Sequence, residues 1–296
     1  MWQLRCSRTL ALGETMLIRL VILDFDGTLT VLGPEFASFA LAFLERVREK
    51  TKLGHESFAA LRDELRELIH RHPHKYGWHG NHRHLAAAGP VDPNVELRAM
   101  CELAFKRTKT FRSNAAVEKE LDTYFGVLNQ SIKTHLHDET PALIHRLVAA
   151  NFPSYVVTNS HPARVQKVLG EIHPAFYERV RGNARKNVIV PGFTVINKSM
   201  FHMPGLGRHM PLRRQPYYEA MNQIRLEHGL EWSEILVIGD NFELDLLLPL
   251  YLGATVCLID HDRIPDYERE FIRKHPRANI VRSVEHALSL FPHLWS

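Results

Sequence analysis

Leu20-Val21-Ile22-Leu23-Asp24-Phe25-Asp26-Gly27-Thr28 is an unbroken apolar run that ends in two aspartates, a glycine and a threonine. A short apolar run without alternation reads as a strand covered on both faces, the kind found in parallel sheets. Strand side chains alternate, so Asp24 and Asp26 can point into one cleft as the chain leaves the sheet. Two carboxylates that close repel each other and need a cation or a shared proton. Gly27 lets the backbone turn sharply straight after them. Asp and Gly are also common where a strand meets a turn, so the rest of the chain must decide between the two.

Three further runs have the same character: Ser154 to Val157, Ile235 to Ile238 and Thr255 to Ile259. Helical spacing follows or precedes each, over Pro162 to Leu169, Pro216 to Glu227 and Asp245 to Leu252. Strand and helix in alternation predict an α/β fold with a doubly wound parallel sheet. A fifth strand is expected near Glu178 to Arg181. Between the first two runs no convincing strand signal occurs, and the gap far exceeds an ordinary crossover. Helical stretches fill it instead, at Glu35 to Lys50, Glu56 to Arg71, Pro93 to Lys109 and Ala115 to Lys133. Leu61, Leu65, Leu68 and Ile69 recur at helical spacing, as do Leu97, Cys101, Ala104 and Phe105. The expected division is therefore a core of residues 1–30 and 139–296 and an inserted helical cap of residues 31–138. The insertion adjoins the carboxyl edge of the sheet, where open α/β folds bind ligands.

The 296 residues are 45% hydrophobic and 24% charged with a net charge of +4, which suits a globular chain with a real core. The balance is too small to imply nucleic-acid binding, though it favours an anionic ligand. Leu246 to Ile259, the longest apolar stretch, is interrupted by Pro249 and Gly253 and is shorter than the roughly 18 residues of a membrane span. Cys6, Cys101 and Cys257 are scattered and odd in number, so no disulfide framework is expected and a reducing cytoplasm is. Residues 1–15 read as a frayed extension rather than a targeting signal, with Met16 an alternative start. Oligomeric state is not written in any of these features.

Two more segments repeat the logic of the first. Ile238-Gly239-Asp240-Asn241-Phe242-Glu243-Leu244-Asp245 is again an apolar strand ending in acids. Oxygen ligands from two strand ends are what a hard ion such as Mg²⁺ requires. The alternative is that Asp240 caps the next helix and Asp245 complements its dipole. Val156-Val157-Thr158-Asn159-Ser160 places a hydroxyl and backbone amides where a phosphoryl group can sit, although all three polar residues are also ordinary helix caps.

Together these segments resemble the haloacid dehalogenase-like superfamily. Asp24 to Thr28 matches its first motif DxDGT, Thr158 to Ser160 its second, and Gly239 to Asp245 its fourth, GDxxxxD. The likeness runs over residues 20–260, and the helical insert is similar to the family's C1 cap. The resemblance implies a Mg²⁺-dependent phosphohydrolase acting on a small phosphorylated metabolite, with no nucleic-acid or membrane partner. Asp24 would be the nucleophile that forms an aspartyl-phosphate, and Asp26 the general acid and base. Asp24, Asp240, Asp245 and the Asp26 carbonyl would hold the metal, with Asp245 at one remove. Thr158 would bind a phosphoryl oxygen, with Gly27, Thr28 and Asn159 nearby. Dehalogenation is disfavoured, since halide departure has no use for the acid that Asp26 supplies. A phosphonate hydrolase, a phosphosugar mutase and a non-catalytic scaffold stand as alternatives.

The third motif departs from the family pattern, which has a lysine followed by proline. Lys186 stands at the expected place but Asn187 follows it. Lys186 is the favoured cation, Arg213 the next, and Arg214 lies beside it. Residues 187–212 are longer than a plain loop. His70, His72, His74, His79, His82 and His84 crowd the insert. They are read as a polar loop near the site mouth, with a metal site as the lesser alternative. Gly205-Leu206-Gly207 lacks the third glycine of a dinucleotide loop.

Overall fold

The computed structural model describes residues 17–31, 34–72, 75–80, 83–87, 93–129, 134–261 and 264–295. The first strand, β1 (Leu20–Leu23), is buried at every position. Two helices follow, α1 (Pro34–Thr51) and α2 (His55–Arg71), then a hairpin of β2 (Gly77–Gly80) and β3 (Arg83–Ala87). Next come α3 (Pro93–Arg107), α4 (Asn114–Asn129) and α5 (Thr140–Ala149). The chain re-enters the sheet with β4 (Ser154–Val157), α6 (Pro162–Ile172) and β5 (Val180–Arg181). A second hairpin, β6 (Met200–His202) and β7 (His209–Pro211), precedes α7 (Gln215–Glu227). The last units are β8 (Ile235–Gly239), α8 (Leu247–Leu252), β9 (Thr255–Ile259), α9 (Asp266–Lys274), β10 (Ala278–Val281) and α10 (Val284–Ser289).

The main sheet is parallel and six-stranded, in the order β10-β9-β8-β1-β4-β5. From β1 the chain winds one way through β4 and β5, then returns to β8 on the other side of β1 and winds outward through β9 and β10. The fold class is thus the doubly wound α/β sheet, and the reversal puts the carboxyl ends of β1, β4 and β8 side by side. Alternation along β1 explains why its run is apolar throughout. Leu20 and Ile22 enter the apolar cluster on one face, with Val237, Val256 and Tyr217. Val21 and Leu23 enter the cluster on the other, with Leu236, Ile238 and Val165. Each such side chain contributes about 1.5–3 kcal/mol of burial.

The inserted helices supply most of a third cluster, which Leu244 joins from the turn after β8. Phe39, Phe43 and Val47 of α1 follow one another at helical spacing and meet Leu65 and Ile69 of α2, Cys101 and Phe105 of α3, and Leu121 of α4. The two chain crossings to this insert lie side by side, joined by an antiparallel bridge between Thr30 and Leu136. No helix among the described residues is long and apolar enough to cross a membrane.

Three features depart from expectation. The insert is not free of strands, because β2 and β3 form a hairpin there. Residues 187–212 are longer than a loop because they house the β6–β7 hairpin. A sixth strand, β10, pairs with β9 at the sheet edge, where only half its positions are fully buried, and such a strand leaves no continuous apolar run. Cys101 and Cys257 are buried free thiols, whereas Cys6 and the two candidate start residues lie outside the described residues. Of the crowded histidines, His74 and His82 also lie outside them. His70 meets Glu96 Oε1 at 2.8 Å on the insert's surface.

Candidate active site

Where β1 ends, the Asp24 N–H donates to the Ile238 carbonyl of β8 at 2.9 Å, which ties two strand ends together. The Asp24 side chain is buried, and Lys186 Nζ donates to its Oδ1 at 2.5 Å. Burial pushes the Asp24 carboxyl up to about 7, with Lys186 pulling it down and Asp245 pushing it further up. Asp26 is less enclosed. Its Oδ2 accepts from the Ser160 hydroxyl and its Oδ1 from Arg164 at 3.1 Å. Between these and the insert, Gly27 takes a φ of 80°, a left-handed conformation that side chains other than glycine's rarely adopt. Its N–H donates to Thr30 Oγ1 at 3.1 Å. Thr28 is buried, and its hydroxyl has no hydrogen-bond partner among the described residues.

The β4 end is laced to the segment that carries Lys186. Thr158 N–H donates to the Arg181 carbonyl at 3.1 Å, and its own carbonyl accepts from Ala184 at 2.9 Å. Thr158 Oγ1 accepts from the Ser160 N–H at 3.1 Å, a helix-entry turn of the kind expected from these residues. Asn159 does not face a ligand through its amide oxygen, which instead accepts from the Lys186 N–H at 2.7 Å. Asn183 and Arg185 adopt φ values of 51° and 48°, so the chain is bent on both sides of Ala184 before Lys186 turns inward.

The β8 end closes the arrangement. Asn241 Oδ1 accepts from the Leu244 N–H at 3.1 Å and starts a π-helical turn, Phe242–Leu246. That wide turn brings Asp245 back under Gly239, where an added Cβ would stand 2.6 Å from the Asp245 Cβ. Only glycine admits so close an approach. Asp245 then accepts from Lys186 Nζ at 2.8 Å on Oδ1 and from the Asn241 N–H at 2.9 Å on Oδ2. Its carbonyl accepts from the Tyr217 hydroxyl at 2.7 Å, and the Tyr217 ring lies 5.3 Å from Lys186 Nζ. Asp24, Asp240 and Asp245 each offer a carboxylate oxygen within 4.8 Å of the others.

Of the three candidate cations, Lys186 is the one in this cluster. Burial works against its ammonium, but Asp24 and Asp245 outweigh that and raise its pKa. Arg213 turns elsewhere, donating to the carbonyls of Pro191 and Ile196, so it does not join the carboxylates. Arg214 is fully buried one step away. It donates to the Lys186 carbonyl at 2.6 Å and to that of Pro211 at 3.2 Å. Sequence reasoning missed three participants: Ser160 and Arg164 on Asp26, and Arg208, which pairs with Glu243 inside the turn. Ser160 was visible in the second motif; nothing in the sequence pointed to the two arginines.

The donor set suits a hard divalent cation. Three carboxyl groups face one ammonium, and all the ligand atoms are oxygens. Asp245 has both oxygens already engaged, by Lys186 Nζ and the Asn241 N–H, whereas Lys186 takes one oxygen of Asp24.

A family model described as haloacid dehalogenase-like hydrolase matches residues 18–248. Among solved structures, a predicted phosphoglycolate phosphatase from Haemophilus somnus 129pt is similar at 17% identity and a TM-score of 0.50, covering 94% of this chain and 99% of its own. A hydrolase of the same family from Deinococcus radiodurans R1, solved with bound phosphate and sodium, is similar at 15% identity and a TM-score of 0.49, covering 95% and 97%. A 2-haloacid dehalogenase from Pseudomonas syringae pv. Tomato DC3000 is similar at 15% identity and a TM-score of 0.44, covering 95% and 100%. At 17% identity the likeness to the first of these is one of fold. No curated protein matches the chain at a significant level.

Proposed function

The chain belongs to the haloacid dehalogenase-like hydrolase family, and on that premise we propose that it is a Mg²⁺-dependent phosphohydrolase of a small phosphorylated metabolite. The observation that carries the choice of phosphate ester over halide is Asp26, a second carboxylate two residues beyond Asp24. An alkoxide leaving group needs a proton and a halide does not, so the second carboxylate has work only in ester cleavage.

Asp24 is the nucleophile. Its carboxylate oxygen attacks phosphorus as the bond from phosphorus to the leaving oxygen breaks, giving an aspartyl-phosphate. Asp26 gives its proton to the leaving oxygen, then takes one from the water that cleaves the acyl phosphate and restores Asp24. Lys186 holds positive charge against Asp24 and Asp245 and offsets the charge that an incoming phosphoryl group adds. Thr158 and the free hydroxyl of Thr28 stand as donors for phosphoryl oxygens. Mg²⁺, held by Asp24, Asp240 and the Asp26 carbonyl with Asp245 at one remove, would supply the Lewis acidity that makes phosphorus open to an anionic attacker.

Asp24→Asn is expected to abolish phosphate release from p-nitrophenyl phosphate, a loss of roughly 10³-fold or more, while the far-ultraviolet circular dichroism stays unchanged. EDTA is expected to stop the wild-type enzyme and Mg²⁺ to restart it. Turnover that survives either change overturns the proposed role of the carboxylate cluster.

A further inference from the structure

Arg164 sits in the first turn of α6, third after His161. A cation there opposes the helix dipole, which favours anions at that end. Its position is accounted for by what the guanidinium touches. Nη2 donates to Asp26 Oδ1 at 3.1 Å and Nη1 to Ser160 Oγ at 3.1 Å. Nε donates to Thr134 Oγ1 at 3.1 Å, and the group lies 5.7 Å from the Phe25 ring centre. Thr134 stands two residues before Leu136, which bridges to Thr30 where the chain returns from the insert. One half-buried guanidinium therefore spans three separate pieces of chain: the segment after β1, the turn after β4, and the return crossing.

We propose that Arg164 is a positioning residue that fixes Asp26 for proton transfer and holds it in register with the return crossing through Thr134. The two Asp26 oxygens have different partners. Oδ1 faces a permanent cation that can only donate. Oδ2 faces the Ser160 hydroxyl, which donates to a carboxylate and can turn to accept from a carboxylic acid. Oδ2 is thus the oxygen that can carry the proton, and Arg164 aims it by pinning the other. Thr134 steadies the guanidinium from the far side, since an arginine held at one edge alone swings about its long stem. The inference rests on the proposed role of Asp26 as acid and base.

Leaving-group dependence tests it. Phenyl phosphate and p-nitrophenyl phosphate have similar shapes, but phenoxide needs a proton far more than nitrophenoxide does. With Mg²⁺ present, Arg164→Gln is expected to lower kcat/KM for phenyl phosphate by roughly tenfold or more beyond its effect on p-nitrophenyl phosphate. Arg164→Lys is expected to restore part of the difference, and Thr134→Val to produce a smaller shift of the same sign. Thermal melts of all three variants check that they fold, and Thr134→Val reads the same contact without touching the guanidinium. An equal loss on both substrates, or no loss, overturns the inference while leaving the phosphohydrolase reading in place. A wild-type enzyme that hydrolyses neither ester overturns that reading and this inference with it.

Discussion

Asp24 is a residue whose charge works against the fold that holds it. Burial raises its carboxyl from an ordinary 3.8 to about 7, so between those values the metal-free folded chain holds a proton that the unfolded chain has released. Stability from this group therefore falls as pH rises through that window, the reverse of a carboxylate whose pKa is lowered by a salt bridge. Lys186, raised rather than lowered, is protonated in both states there and adds no slope. In EDTA, Asp24→Asn is expected to melt close to the wild type at pH 4 and above it at pH 8, with Mg²⁺ narrowing the gap at pH 8. A gap that does not widen with pH would mean that Lys186 already neutralises the group. The acids themselves were legible in the sequence because each follows an apolar run that fixes where the strand ends. Lys186 was legible only by its order in the chain, since Asn187 stands where a proline would mark it. Arg164 left no mark, because its contacts come from residues 30 and 138 positions away in sequence.

At the scale of elements, continuous apolar strands were easy to read and short hairpins were not. The three-residue strands β6 and β7 are too brief for periodicity, and Pro204, Gly205 and Gly207 between them suggest only a turn. Their use is seen in their contacts. Arg208 at the foot of β7 donates to both oxygens of Glu243, with Nη1 to Oε1 at 3.0 Å, and both side chains are almost fully enclosed. Arg214 stands 3.5 Å from the same carboxylate. Close by, burial pushes Glu268 up to about 8, with Glu243 adding to the rise and Arg208 opposing it. The hairpin thereby anchors the turn that joins Asp240 to Asp245. Arg208→Met removes one partner of a buried pair and is expected to cost about 3 kcal/mol in urea unfolding, because the buried Glu243 carboxylate loses the guanidinium that holds both its oxygens. A cost below about 1 kcal/mol would mean that the other partners of Glu243, Arg214 among them, suffice to neutralise it.

Across the whole molecule, two of the meetings between the insert and the rest of the chain among the described residues differ in kind. One is polar and built from backbone: Val31 N–H to the His135 carbonyl at 2.9 Å, and His137 N–H to the Leu29 carbonyl at 3.1 Å. Thr140 Oγ1 adds a bond to the Leu29 carbonyl at 2.9 Å. Adjacent crossings of this sort can serve as a hinge, since few side chains at the crossings themselves need to repack. The other is apolar and comes from the site itself. Leu244, in the turn between Asp240 and Asp245, is the buried member of the insert's cluster that the sheet side contributes, beside Phe39, Phe43 and Phe105. A shift of the insert therefore bears directly on the turn that presents the carboxylates. Leu244→Ala removes that apolar contact and is expected to cost about 2–3 kcal/mol. The cost should fall on the insert rather than on the sheet, whose two clusters lack Leu244. Amide hydrogen exchange is expected to quicken by roughly tenfold or more in α1 to α4 while β1, β4 and β8 keep their protection. Equal loss of protection in sheet and insert would mean that the two unfold as one unit, and the hinge would then have no independent motion to support.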